Sequence, residues 1–204
     1  IAQRKAFEET FKKALKEKGL EDKYGNILPE FEKLYKDFAA INIKRRNFIE
    51  AFLVTNELMQ MAFRAYQLEQ VALNKPENFE KAKASYIARL KRIHKNYDTA
   101  VDKGVFKNVM PLYTNNVDAT IYDKTSFTDL DKALKLVDGD AKQVVENLNK
   151  DAAYQYAKPM IAEFYTKINP EFQQKNQPIT ALQKEYMKAL MEALPNARYF
   201  PDAN

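Results

Sequence analysis

Cysteine is absent from the 204 residues. That removes disulfides, thiolate metal sites and a cysteine nucleophile together, while leaving the compartment open. Histidine occurs once, as His94, and serine twice, as Ser85 and Ser126. A Ser–His–Asp triad needs a base within reach of a nucleophile. Neither serine stands in a Gly-x-Ser-x-Gly elbow, and His94 lies late in a helical pattern between Arg92 and Lys95, a common setting for a surface histidine. A complete hydrolase site, with catalytic residues inside this chain, is therefore not expected. No apolar run approaches the roughly 18–20 residues that would span a bilayer. No block of basic residues stands out either; Lys44-Arg45-Arg46 is the densest cluster, and the net charge of +5 is spread among interleaved Lys and Glu. Nucleic acid is not an expected partner, and no membrane span is expected.

Glycine is also scarce, at four residues, whereas Ala, Leu, Lys, Glu and Gln dominate. These side chains lose little rotamer freedom in a helix, so the composition leans helical. Hydrophobic residues make up 46% and charged residues 30%, a globular mix that excludes wholesale disorder.

Periodicity turns that bias into a map. Residues 1–18 read as a helix with Phe7, Phe11, Ala14 and Leu15 on one face, closed by Gly19 in the C′ role. A connector follows with the turn signal Tyr24-Gly25-Asn26, and Pro29 suits the first turn of the next helix. The helical pattern then runs to about Leu73, with a break expected near 40–42. Phe48, Phe52, Met59, Phe63 and Tyr66 line one stripe, and Val54, Leu58, Met61, Ala65 and Leu68 a second, so this segment is covered on more than one side. A run of about 30–45 residues would span roughly 45–65 Å, which implies an elongated domain. Asn74-Lys75-Pro76 ends it, and Phe79, Lys83, Tyr86, Leu90, Ile93 and Tyr97 form the returning arm of an antiparallel hairpin. Asp98 caps the next helix. Residues 115–126 mix loop with a short helix, Thr128 to Asp131 resembles a capping box, and Asp140 with Gln143 opens another helix. A further helix covers 152–168 with Pro159 at a break or kink. Asn169-Pro170 and Gln177-Pro178 bracket a loop, and a last helix follows from Ile179. No strand pattern or internal repeat is present. The expected fold is all-α: a single domain over 1–204, an elongated bundle built on a long antiparallel helical hairpin.

The remaining constellations favour structure over chemistry. Asp118, Asp123, Asp129, Asp131, Asp138 and Asp140 invite a calcium reading, but an EF-hand frame from Asp138 puts Lys142 at position 5, Gln143 at 6 and Asn149 at 12. Helix caps explain these acids better, and no metal or cofactor is expected. Glu8-Glu9 and Glu30/Glu32 fit polar helix faces beside lysines. Most of the twelve Tyr and thirteen Phe fall on apolar stripes, as packing rather than base stacking requires.

The end of the chain carries the most specific signal. Tyr186 to Asn204 reads YMKALMEALPNARYFPDAN: an amphipathic helix, an aromatic pair, then Pro-Asp-Ala-Asn. It resembles a YMKGLMEMxPdxxFYPDAN motif of bacterial dipeptidyl aminopeptidases of the dipeptidyl peptidase seven and eleven type, where the chain leaves a helical insert. Tyr24 to Pro29 with Leu34-Tyr35 is similar to that family's YGxxLPxLxxLY segment. Asn96 to Lys103 with Val105-Phe106 is similar to DYDpavDrxvF, Leu112-Tyr113 follows in order, and Phe127-Thr128 resembles its SxFT element. Ala189 replaces a frequent Gly, and Tyr199-Phe200 the usual Phe-Tyr.

The resemblance implies an exported serine exopeptidase as parent, periplasmic or at the cell surface, removing dipeptides from peptide N-termini with a His–Asp–Ser triad on a double β-barrel. The triad and the asparagine that helps hold the substrate's α-amino group would then lie outside residues 1–204. This chain would be the helical lid over the cleft, with peptides reaching the parent enzyme as substrates and a homodimeric parent among the expected assemblies. Tyr199, Phe200, Pro201, Asp202 and Asn204 are the candidate hinge and domain junction. Two alternatives stand beside it: a stand-alone helical module binding peptides or proteins through an aromatic groove, and a metal-dependent enzyme, for which the ligand set is missing.

Overall fold

A computed structural model describes residues 2–196, with side chains from residue 5 onward. In chain order the helices are α1 (Ala2–Glu17), α2 (Glu21–Tyr24), α3 (Ile27–Ile49), α4 (Glu57–Asn74), α5 (Phe79–His94), α6 (Thr99–Val109), α7 (Ile121–Lys124), α8 (Leu130–Leu136), α9 (Ala141–Leu148), α10 (Ala152–Glu163) and α11 (Asn169–Ala193). No strand forms among the described residues, so the chain is all-α with long helices. It divides into two compact units, residues 1–41 with 171–204, and residues 42–170.

In the first unit, α1 ends as its sequence predicts. Gly19 adopts φ +64°, Leu20 N–H donates to the Leu15 carbonyl at 2.9 Å and Gly19 N–H to that of Lys16 at 3.2 Å. This is the Schellman pattern, and Leu20 packs on the core beside Leu15 as the motif requires. Space around Gly19 is open, so Gly19→Ala meets only the left-handed backbone penalty. Urea denaturation should show a loss of about 1 kcal/mol. The core joins Phe11, Ala14 and Leu15 of α1 to Tyr24, Ile27, Ala189, Leu190 and Ala193. Tyr186 sets its edge against Phe11 and Phe31, with ring centroids 5.2 and 5.8 Å apart. The Tyr24 hydroxyl donates to Glu192 at 2.7 Å and Lys23 pairs with the same carboxylate at 2.9 Å. These donors hold the Glu192 carboxyl below the usual range, the Lys23 bond being the leading cause.

The second unit is organised around α4. Leu58, Met59, Met61, Ala62, Phe63, Ala65 and Leu68 are all buried, so the two apolar stripes do mark a helix covered on several sides. Its return arm α5 buries Phe79, Tyr86 and Leu90 after a tight turn, Pro76–Asn78. Phe48 is fully buried and stacks between Phe52 and Phe164, with ring centroids 4.4 and 4.1 Å away. Tyr113 presents its edge to Phe48 at 5.4 Å, and its hydroxyl is buried with no hydrogen-bond partner among the described residues. Burial, helped by Glu163, pushes that phenol up to about 12. A hydroxyl that lost water without gaining a partner costs stability, so Tyr113→Phe should be neutral or stabilising by up to about 1 kcal/mol in thermal unfolding.

Several expectations need correction. The break after Pro29 lies not at residues 40–42 but at Thr55–Asn56, behind a π turn at Glu50–Val54. There Thr55 donates both N–H and hydroxyl to the Glu50 carbonyl. Val54 belongs to that turn and is exposed, so it is not part of the second stripe. Pro159 sits inside α10, which runs on to Glu163; the irregularity is a π turn at Phe164–Ile168. The expected loop between Asn169 and Pro178 does not form, because α11 starts at Asn169 and passes through both prolines. Asp129, not Thr128, is the N-cap of α8, accepting from Lys132 N–H at 2.9 Å.

Candidate functional site

Two of the segments that carry the resemblance, those at Asn96 and Phe127, reach buried polar joints of the second unit. The main one secures the start of α4. Asn56 is its N-cap, accepting from Met59 N–H at 2.9 Å. The Asp102 carboxylate, from α6, accepts from Glu57 N–H at 2.7 Å and Leu58 N–H at 2.9 Å. Two orphan donors of the first turn are thus met by a side chain 44–45 positions away, where a negative charge also suits the helix dipole. Asn56 Nδ2 donates to Asp102 Oδ1 at 3.0 Å, and the Tyr122 hydroxyl donates to Oδ2 at 2.8 Å. Tyr97 reaches the same oxygen at 3.4 Å. Burial is the leading cause that raises the phenols of Tyr97 and Tyr122, with the Asp102 charge second. Burial and then Asp102 also raise the Glu57 carboxyl.

A second joint surrounds Glu69, which is 1% exposed on α4. Its carboxylate accepts from Tyr154 at 2.8 Å, Lys158 at 2.8 Å and Asn149 at 2.5 Å, so the buried charge is paired and its oxygens are satisfied. A third joint ties the Phe127-Thr128 region to α10. Asp151 caps that helix through Ala153 and Tyr154 N–H and also accepts from the Thr125 hydroxyl at 2.8 Å and Ser126 N–H at 2.7 Å. Of the residues in these joints, sequence reading weighed Ser126 as a nucleophile and Asn149 as a failed calcium-loop position, and read Leu58, Met59 and Tyr97 as packing residues. The Asn56-Glu57 pair was the available signal for the first, as an N-cap residue followed by an acid.

The structure gives each residue weighed for chemistry in the sequence a local setting of its own. His94 stacks edge-on to Tyr97 at 5.3 Å, and its Nε2 is buried without a hydrogen-bond partner among the described residues. Burial lowers its pKa, opposed by Phe127 and Asp129. The Ser85 hydroxyl donates to the Lys81 carbonyl at 3.1 Å, and neither serine hydrogen-bonds His94 among the described residues. The aspartates cap helices and turns or form surface pairs. Asp140 accepts from Gln143 N–H at 2.9 Å and Asp118 from Thr120 N–H at 2.9 Å, while Asp123 pairs with Lys103 at 2.9 Å. Asp131 and Asp138 are exposed. Among the described residues no three His, Cys, Asp or Glu side chains converge as a metal site, and no helix is long and apolar enough to cross a membrane. Of the basic cluster, Lys44 pairs with Glu163 at 2.7 Å and Arg45 donates to Asn169 at 3.2 Å. The junction candidates Tyr199, Phe200, Pro201, Asp202 and Asn204 lie outside the described residues.

The first unit holds a cavity of about 670 Å³ walled by Phe7, Leu28, Phe31, Tyr35 and Tyr186, with Glu8, Glu32 and Lys12 at its edge. Phe7 and Tyr35 are 41% and 42% exposed, so this aromatic surface is partly open.

The sequence pattern of the family described as Peptidase S46 matches residues 1–120 and, in an overlapping second stretch, 113–204. The chain belongs to the peptidase S46 family. An Asp/Glu-specific dipeptidyl-peptidase of Flavobacterium psychrophilum is 32% identical over 222 residues, covering 100% of this chain and 31% of the relative. An Asp/Glu-specific dipeptidyl-peptidase of Capnocytophaga gingivalis is 29% identical over 224 residues, again covering 100% of this chain and 31% of the relative. The chain thus spans about a third of the length of these relatives. Membership accounts for the Tyr24, Asn96 and Phe127 segments as family sequence. In the last two, Asp98, Asp102 and Thr125 hold helix starts and joints in place, and Tyr24 closes the core of the first unit.

Proposed function

We propose that this S46 chain is the helical insert of a longer serine-type dipeptidyl-peptidase, acting as a lid that lets only peptide N-termini reach the nucleophile. The observation that carries the reading is one of coverage. The family match runs the whole length of the chain, yet the chain answers to 31% of relatives that are named dipeptidyl-peptidases. The Ser85 hydroxyl is tied to the Lys81 carbonyl, the Ser126 N–H to Asp151, and the one histidine packs against Tyr97. The chemistry of such a parent would then come from segments beyond residues 1–204. Well-packed helical units contribute what a lid requires: they exclude water from a cleft and block internal peptide segments. The parent is exported under this reading, and peptides are its substrates.

The purified 204-residue chain, assayed on dipeptidyl chromogenic substrates beside its full-length parent, should show no turnover above buffer while the parent is active. Turnover that co-purifies with the chain and scales with its concentration would overturn the division of labour.

A further inference from the structure

The second unit carries a cavity of about 370 Å³ between α4 and α5 that none of the joints above uses. Its volume is within the range of small-molecule sites. Arg64 and Leu68 of α4 face Tyr86 and Arg89 of α5 across it, with Val71 extending the apolar wall. The antiparallel run of the two helices through the Pro76–Asn78 turn brings residue 64 level with residue 89. Two guanidinium groups therefore line one small cavity, both only partly exposed. Neither has a carboxylate within 4 Å among the described residues, although the partly buried lysines Lys83, Lys103, Lys158 and Lys175 all do.

The two arginines are also placed rather than loose. Arg64 Nη1 donates to Gln67 Oε1 at 2.8 Å, and Gln67 Nε2 in turn donates to the Tyr165 hydroxyl at 3.1 Å. Arg89 Nε is buried with no hydrogen-bond partner among the described residues. Burial lowers the Arg89 pKa, and the neighbouring charges of Arg64 and Arg92 add to the effect. Like charges held together without a counter-ion, one with an orphaned donor, form an arrangement that an anion relieves. The guanidinium fork matches a planar carboxylate in two-point geometry, and the adjoining Leu68, Val71 and Tyr86 surfaces take an apolar group attached to it.

We infer that this cavity binds a carboxylate carried on an apolar or peptide group, through Arg64 and Arg89. The site does not depend on the lid reading, because it lies wholly within the second unit and is tested by binding rather than by peptidase activity. Calorimetric titration of the 204-residue chain at low salt provides the test, with N-acetyl-leucine, N-acetyl-leucinamide, N-acetylglutamic acid α-amide and inorganic phosphate as probes. At least one carboxylate probe should bind. The uncharged leucinamide should bind at least about tenfold more weakly, the effect of losing a charge-assisted bond or more. Preference for N-acetyl-leucine assigns the natural carboxylate to a chain terminus, preference for the glutamyl amide to an acidic side chain, and both outcomes support the site. Arg64→Gln and Arg89→Gln, checked for unchanged circular dichroism and melting, should each lose at least about tenfold in affinity. Equal binding of acid and amide, tighter binding of phosphate, no binding of any carboxylate probe, or unchanged affinity in both variants would overturn it.

Discussion

Asp102→Ala should lose about 3–5 kcal/mol of stability. The wild-type carboxylate accepts from Glu57 N–H, Leu58 N–H, Asn56 and Tyr122 in a site where Asn56 and Asp102 are 0% and 4% exposed. Alanine leaves these donors in place without an acceptor, and each unsatisfied buried donor costs about 1–3 kcal/mol. Partial entry of water offsets some of that sum. The helix start loses its negative charge as well, worth about 0.3–1 kcal/mol. Asp102→Asn separates the contributions, since it keeps the shape and one acceptor but turns an amide NH2 toward donors; about half the loss is expected. Urea midpoints at constant denaturant slope measure both. A midpoint for Asp102→Ala within error of wild type would show that the joint does not hold α4 in place.

Phe48→Ala should cost about 3–5 kcal/mol by a different route. Phe48 is 0% exposed, stacks on both Phe52 and Phe164, and meets the edges of Phe63 and Tyr113. Removing the ring strips away its transfer free energy and leaves a cavity whose aromatic walls cannot all collapse inward. The lost ring pairings add roughly 0.5–1.5 kcal/mol each. Phe48→Leu retains most of the volume and should recover more than half of the loss. Phe7→Ala is the contrast, because Phe7 is 41% exposed; a change below about 1 kcal/mol is expected. Equal costs at Phe7 and Phe48 in thermal or urea unfolding would contradict the packing described.

These two sites differ in how far the sequence announces them. Phe48 and Phe52 sit at helical spacing on an apolar stripe, so their burial is legible from periodicity alone. The capping aspartates Asp98 and Asp140 are legible as well: each precedes an apolar run and accepts a backbone N–H from two or three residues on, whereas at α8 the cap falls on Asp129, one residue after the Thr128 that the capping-box pattern offers. Asp102 is not legible in that way, because its partners come from α4 and α7 and only tertiary structure brings them together. The same holds for Glu69, which reads as one more helix-surface acid until Asn149, Tyr154 and Lys158 close around it.

Proline misled where the backbone had a local remedy. Pro170 follows a π turn in which Asn169 N–H bonds to the Phe164 carbonyl, five residues back, so the widened turn makes room for a ring that would crowd an ordinary one. Pro178 and Gln174, whose carbonyl loses the N–H partner, are both exposed. Water can serve that carbonyl while Ile179 keeps the helix packed. The Thr55–Asn56 break was missed for the opposite reason: Asn56 is a good N-cap in sequence, but the stripe runs across it. The scarcity of Ser and His is legible directly in the sequence, and it is what directs the proposed chemistry to segments outside this chain.

The lid is the central claim, and cleavage of blocked peptides by the parent tests it most directly. The parent should be compared with a variant in which residues 1–204 are replaced by a short flexible linker, using free and N-acetylated forms of one peptide and a covalent serine probe to verify an intact nucleophile. The account predicts that the parent cleaves only the free form, whereas the probe-reactive variant also cleaves the acetylated peptide at internal bonds. A probe-reactive variant that still removes only N-terminal dipeptides would contradict it.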